Sequence, residues 1–263
     1  MTHQPPNTNS SPPTNTTPPA PRITPQRIAV PLPKKKPIAT YAIMAVTVMI
    51  YFLQIGTEYL FKIDLPAALG MKVNELIARG QIWRLITPVF LHGSVLHIGF
   101  NMYALYLFGP GLERYYGKLK FAALYFISGF GGNVFSMMFS TMPSLGSSTA
   151  IFGLIGAQGV FIHHNRKMLG SNATRALTSL ISVAVINLII GMSPNIDNWG
   201  HIGGLLGGTL FAWYAGPLLS LEGIYPDIHI SNHRQNSEVW LTALALIAFF
   251  VILAAGALFL QGK

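Results

Sequence analysis

From residue 37 onward the chain alternates between long apolar stretches and short polar or charged breaks. A bilayer core of about 30 Å is crossed by about 20 helical residues. On that measure seven segments are predicted: 37–55, 91–109, 121–142, 148–164, 173–191, 198–219 and 239–260. Several are short or rich in Gly and polar residues, which places them inside a bundle rather than against lipid. Residues 1–36 follow no such pattern. They are dominated by Pro, Thr, Asn and Ser, carry no apolar run of a secretory signal, and are expected to form a disordered tail. The predicted organisation is therefore an all-α polytopic membrane protein: tail 1–36, helical core 37–219, loop 220–238 and an additional C-terminal transmembrane helix at 239–260.

Composition supports a lipid environment. Hydrophobic residues make up 51% of the 263 and charged residues only 10%, against about a quarter charged in soluble domains. The formal charge of +9 does not imply nucleic acid, because no basic stripe or aromatic platform accompanies it. The cations instead cluster at segment ends, where they set topology. Arg22, Arg27, Lys34, Lys35 and Lys36 fall on one side with Arg114, Lys118, Lys120, Arg166, Lys167, Arg175 and Arg234. Lys62, Lys72, Arg79, Arg84 and Lys263 fall on the other. The bias predicts a cytoplasmic N-terminus in the cell membrane. Absence of cysteine excludes disulfides, thiolate nucleophiles and zinc–sulfur sites. The long connection 56–88 mixes Leu60, Phe61, Leu65, Leu76 and Ile77 with charges. It is expected to carry short amphipathic pieces lying in the outer interface.

Polar residues inside a membrane are costly, so each is a functional hypothesis. The second segment holds His92, His97 and Asn101, the last two on one helical face. The fourth opens with Gly146-Ser147-Ser148-Thr149, and the sixth contains His201. With the predicted topology these groups reach a similar depth near the outer side. Ser148 is the expected nucleophile and His201 its base, since a hydroxyl attacks only once an imidazole takes its proton. The backbone N–H groups at the start of the fourth segment, including that of Ser148, would form an oxyanion hole with Asn101 and His97. Small residues let the two helices approach: Gly153, Gly156 and Ala157 on one, Gly203, Gly204, Gly207 and Gly208 on the other. Phe152, one turn from Ser148, is positioned to lie against the imidazole. Asp197 reads as a helix-end cap, which leaves a Ser–His dyad. Asn133 in the third segment reads as a cap or helix bridge. Taken singly, Ser148 is a common packing serine and His201 a common buried histidine; their coincidence with His97 and Asn101 at one depth is what points to catalysis. His229 and His233 share a metal-ligand spacing without a further ligand set, so neither metal nor cofactor is expected.

At these residues the sequence resembles the rhomboid intramembrane serine proteases. The G-x-S nucleophile motif appears as Gly146-Ser147-Ser148, followed by Ala150-Ile151-Phe152-Gly153. The histidine with paired glycines is His201-Ile202-Gly203-Gly204, and the oxyanion-side histidine precedes Asn101-Met102 as His97. Trp83-Arg84, followed by Thr87, Phe90, Leu91 and His92, resembles the approach to that helix. The resemblance implies a rhomboid-like six-helix core and a water-filled cavity open to the outside. It implies single-span membrane proteins as substrates, entering sideways with small residues before the scissile bond. It also implies a gate at 173–191 and its outer loop, and an outer loop braced by Arg84. One position departs: Thr149 stands where the family usually has Gly, and its side chain is expected to narrow the cavity or alter the oxyanion backbone. Two alternatives stay open. A catalytically inactive relative that binds membrane clients would lack proteolysis. A small-solute transporter would need a polar path to the cytoplasmic side, whereas the inner halves 103–108 and 154–161 are largely apolar.

Overall fold

The computed structural model describes Met1 and residues 35–193, 196–224 and 226–261. The expected tail lies mostly outside the described residues, with Arg22, Arg27, Lys34 and Lys263. Among the described residues helices dominate: α1 (Ile38–Phe61), α2 (Leu65–Gly70), α3 (Asn74–Ala78), α4 (Val95–Tyr116), α5 (Lys118–Phe139), α6 (Ser148–His164), α7 (Arg166–Leu169), α8 (Asn172–Ile190), α9 (Asn198–Ala215) and α10 (Asn236–Gln261). Two 3₁₀ turns, Ile82–Leu85 and Thr87–Phe90, precede α4. Strands β1 (Leu219–Glu222) and β2 (His229–Asn232) form an antiparallel hairpin before α10.

Each predicted segment corresponds to one long helix, with ends moved by local chemistry. Helix α1 continues past residue 55 to Phe61 and stops where Lys62 turns left-handed, φ 59°. The Ser94 side chain accepts from the His97 N–H at 3.1 Å and so caps α4. His92 therefore precedes the second helix rather than lying in it, a correction to the sequence reading. Helix α4 also runs through Pro110 to Tyr116, beyond the predicted end. Helix α9 ends at Ala215, ahead of Gly216-Pro217, and Leu219 is the first residue of β1 rather than the last of a span.

Helices α1, α5, α8 and α10 are each long and apolar enough to cross a membrane. Helices α4, α6 and α9 carry the polar candidates and do not meet that measure. Helix α6 is the centre: eleven of its residues are buried, among them Ala150, Phe152, Leu154 and Ala157. It meets α9 almost backbone to backbone. A side chain at Gly204 would occupy the space of the Thr149 carbonyl, and one at Gly208 the backbone of Gly153. Glycine at these two positions permits the close crossing. Leu105, Phe121, Leu124, Tyr125, Val134, Leu154 and Phe211 fill the surrounding core.

Polar crosslinks hold the ends. Glu113 of α4, 1% exposed, accepts from the Ala39 and Thr40 N–H groups and the Thr40 hydroxyl at 2.7–2.8 Å, so it satisfies the start of α1 from a neighbouring helix. The connection runs over 62–94 rather than the expected 56–88, because residues 56–61 belong to α1; it is built of short helical pieces and tied to the α5–α6 loop. Lys72 exchanges backbone bonds with Ser144, and its buried ammonium donates to the Ser140 and Met142 carbonyls at 3.0 and 2.8 Å. Burial lowers the Lys72 pKa to about 8, while Asp197 and Glu75 act against that shift. Asn133 donates to the Leu85 carbonyl at 3.0 Å and bridges α5 to the same connection.

Candidate active site

Two helix N-termini bring Ser148 and His201 together. Ser148 is the first residue of α6, preceded by a Gly146 whose φ of 134° suits only glycine and whose N–H donates to the Pro88 carbonyl. His201 sits in the first turn of α9, which Asp197 caps by accepting from the Gly200 N–H at 3.1 Å. The imidazole Nε2 lies 3.0 Å from the Ser148 Oγ across 53 positions of sequence. Phe152 stacks on the His201 ring, centroids 4.3 Å apart and planes at 14°. The ring is thus held on its face by Phe152 and at Nε2 by the serine.

His97 and Asn101 face the same space. A Cβ at Gly146 would come within 2.8 Å of the His97 Nε2, so the loop before Ser148 passes directly against that ring. The Asn101 amide donates to the His97 carbonyl at 3.0 Å, which uses one of its two hydrogens and leaves the second for a ligand. The His92 ring meets His97 edge-on at 5.0 Å and contacts the Ser147 Oγ at 3.2 Å. Gln54 of α1 clamps the His92 backbone through both its N–H and its carbonyl. Trp83 donates to the Leu69 carbonyl, and Arg84 reaches Met71, Ala68 and Gln81 at 2.7–2.8 Å, a brace within the outer connection.

A cavity of about 770 Å³ is lined by Ser148, His201, His97 and Asn101, and reaches between α4 and α8 at Ala104 and Val183. Thr149, the departing position, is 6% exposed. Its Cβ and methyl lie against Gly132 of α5 and Gly200 of α9, where a Cβ on either glycine would be 2.6–3.0 Å away. The Thr149 side chain therefore packs into a notch between α5 and α9 while the residue still lines the cavity. His233 pairs with Glu222 at 3.1 Å on the hairpin, and no group of three or more metal-capable side chains occurs among the described residues.

Sequence reading brought Ser148, His201, Phe152, His97 and Asn101 to one place, and the structure does the same. It did not find Ser147, Gln54 or Lys72. Ser147 was visible only as the middle of a motif. Gln54 was one polar residue in an apolar run, and that cost was its only signal. Lys72 looked like any loop cation.

A rhomboid domain model matches residues 79–218. The chain is 39% identical over 213 residues to Rhomboid protease GluP of Bacillus subtilis, covering 80% of this chain and 40% of that protein. It is 39% identical over 148 residues to Rhomboid-like protease 1 of Toxoplasma gondii, covering 53% and 49%. A third relative, Inactive RHOMBOID-like protein 8 of Arabidopsis thaliana, is 34% identical over 138 residues, covering 52% and 39%. The chain spans less than half the length of each of these relatives. With an all-helical multi-pass fold and a domain match that includes both the α6 serine and the α9 histidine, the chain belongs to the rhomboid family.

Proposed function

We propose that the chain is an intramembrane serine endopeptidase that cleaves transmembrane segments of single-span membrane proteins. The observation that carries this reading is the 3.0 Å contact between the Ser148 hydroxyl and the His201 Nε2 inside a cavity reaching between two helices. In this mechanism His201 takes the serine proton as Oγ attacks the scissile carbonyl, then returns it to the leaving amine. The developing oxyanion is met by the Ser148 N–H, the His97 ring and the free hydrogen of Asn101. Water completes the second half of the cycle by the same base. The opening between α4 and α8 is the route by which a helical substrate unwinds into the site. The N-terminus lies in the cytoplasm of a cell whose membrane holds the bundle, with the dyad opening to the outer face.

The test is reconstitution with a single-span reporter, together with labelling by a serine-directed fluorophosphonate. Ser148→Ala and His201→Ala should each abolish cleavage, and Ser148→Ala should abolish labelling, with expression unchanged. Full cleavage by either variant sinks the dyad. A second reading, client binding without proteolysis, is supported by similarity to an inactive relative. Client capture by wild-type protein with no turnover and no label would select it.

A further inference from the structure

The proposed dyad leaves one ring atom of His201 without a partner. When Nε2 receives the serine proton, the hydrogen of the neutral imidazole resides on Nδ1. That Nδ1 is buried and meets no hydrogen-bond partner. One helical turn earlier, Asp197 spends Oδ1 on the Gly200 N–H, while its Oδ2 is likewise buried without a partner. Both side chains line the one cavity that holds Ser148. Asp197 is the N-cap of α9, with non-helical backbone at φ −83° and ψ 79°, and His201 follows four residues later in the first turn. A donor and an acceptor, each buried and unmatched, therefore sit four residues apart at the start of α9 and belong to side chains lining one cavity.

We propose that Asp197 is a positioning residue for His201: its second oxygen takes the Nδ1 hydrogen across that turn, directly or through one water, and its charge steadies the imidazolium formed during attack. This inference rests on the serine-protease reading. It assigns two functions to one carboxylate, Oδ1 capping the helix and Oδ2 orienting the base. The groups that face the imidazole are Ser148 and Phe152 of α6, His97 of α4 and Asp197 itself. Lys72, from the outer connection, is the cation whose charge interacts with the Asp197 carboxylate. Glu75 faces Lys72 rather than the ring.

Asp197→Asn separates the two functions, because an asparagine oxygen caps a helix as well as aspartate does while carrying no charge. In full-length protein in proteoliposomes, the variant should keep its thermal midpoint. Its kcat should fall about ten-fold with KM little changed, and the acidic limb of its kcat/KM profile should move about one unit to lower pH. Asp197→Ser, another charge-free cap, should behave the same way, and Asp197→Glu should restore part of the turnover. A pH profile and turnover equal to wild type in both Asp197→Asn and Asp197→Ser would overturn the assignment and leave Asp197 as a cap alone. Absence of cleavage and of Ser148 labelling in wild type itself would instead overturn the protease reading, and this one with it.

Discussion

The geometry of the proposed Ser148–His201 dyad depends on few side chains, each replaceable in a way that isolates its contribution. Phe152 holds the imidazole by its face, so Phe152→Ala frees the ring to leave the serine. Cleavage should fall about ten-fold or more through kcat, since loss of a defined attack geometry costs rate before it costs binding, and Phe152→Tyr should retain most activity. Gly146→Ala imposes both a strained backbone at φ 134° and a methyl 2.8 Å from the His97 ring. Fluorophosphonate labelling of Ser148 should drop in that variant while folded protein is still recovered. Thr149 shows how a residue's identity underdetermines its effect. A side chain beside Ser148 is expected to narrow the cavity or alter the oxyanion backbone; Thr149 lines the cavity and also packs its Cβ and methyl against glycines of α5 and α9. Gly132→Ala should therefore disturb Thr149 and the α5–α6–α9 crossing, which a thermal melt in detergent would report.

Helices and loops act through their faces. On α10, Val239, Ala243, Leu246, Phe250, Ala254 and Ala257 are buried, a stripe at spacings of three and four. Phe250 meets Phe130 of α5 edge-on, centroids 6.1 Å apart, and fills space above Gly131 and Gly207. Helix α10 thus braces α5 and α9 from behind, and none of its described residues lines the cavity. Phe250→Ala should destabilise the bundle by about 3 kcal/mol through lost packing, measured by reversible unfolding, with the pH profile of cleavage unchanged. The outer connection acts through Lys72. Its pKa is lowered to about 8 by burial, so in the folded state the ammonium loses its proton before it does in the unfolded chain. Between about pH 8 and 10.5 the unfolded state binds more protons, and the contribution of Lys72 to stability rises with pH. Relative to Lys72→Met, which never titrates, the thermal midpoint of wild type should climb across that window.

For the bundle taken together, one polar tie is Glu113, whose carboxylate satisfies three donors at the head of α1. Bonds to a charged acceptor are worth about 1.5–3 kcal/mol each, less in concert. Glu113→Ala strands two backbone N–H groups away from water, and should lower the unfolding midpoint more than Phe250→Ala does. Helix α8 stands at the opposite extreme, with only Ala173 and Leu180 buried. Amide exchange in α8 should outpace that of α6 and α9, consistent with a movable wall beside the cavity.

The seven apolar segments, the candidate serine and histidine, and the expectation that they share a depth were all legible in sequence, because lipid imposes a length on each span and a cost on each polar residue within it. Element ends were less legible, since Ser94, Lys62 and Gly216-Pro217 act through backbone geometry that hydropathy does not register. The roles of Lys72, Glu113, Gln54 and Thr149 were decided only when the helices packed. Each is set by a partner at least ten residues away in the chain: carbonyls of another loop, amides of another helix, or glycines that leave a notch. A lone sequence states which groups must be satisfied in a dry interior, while the tertiary structure selects which neighbours satisfy them.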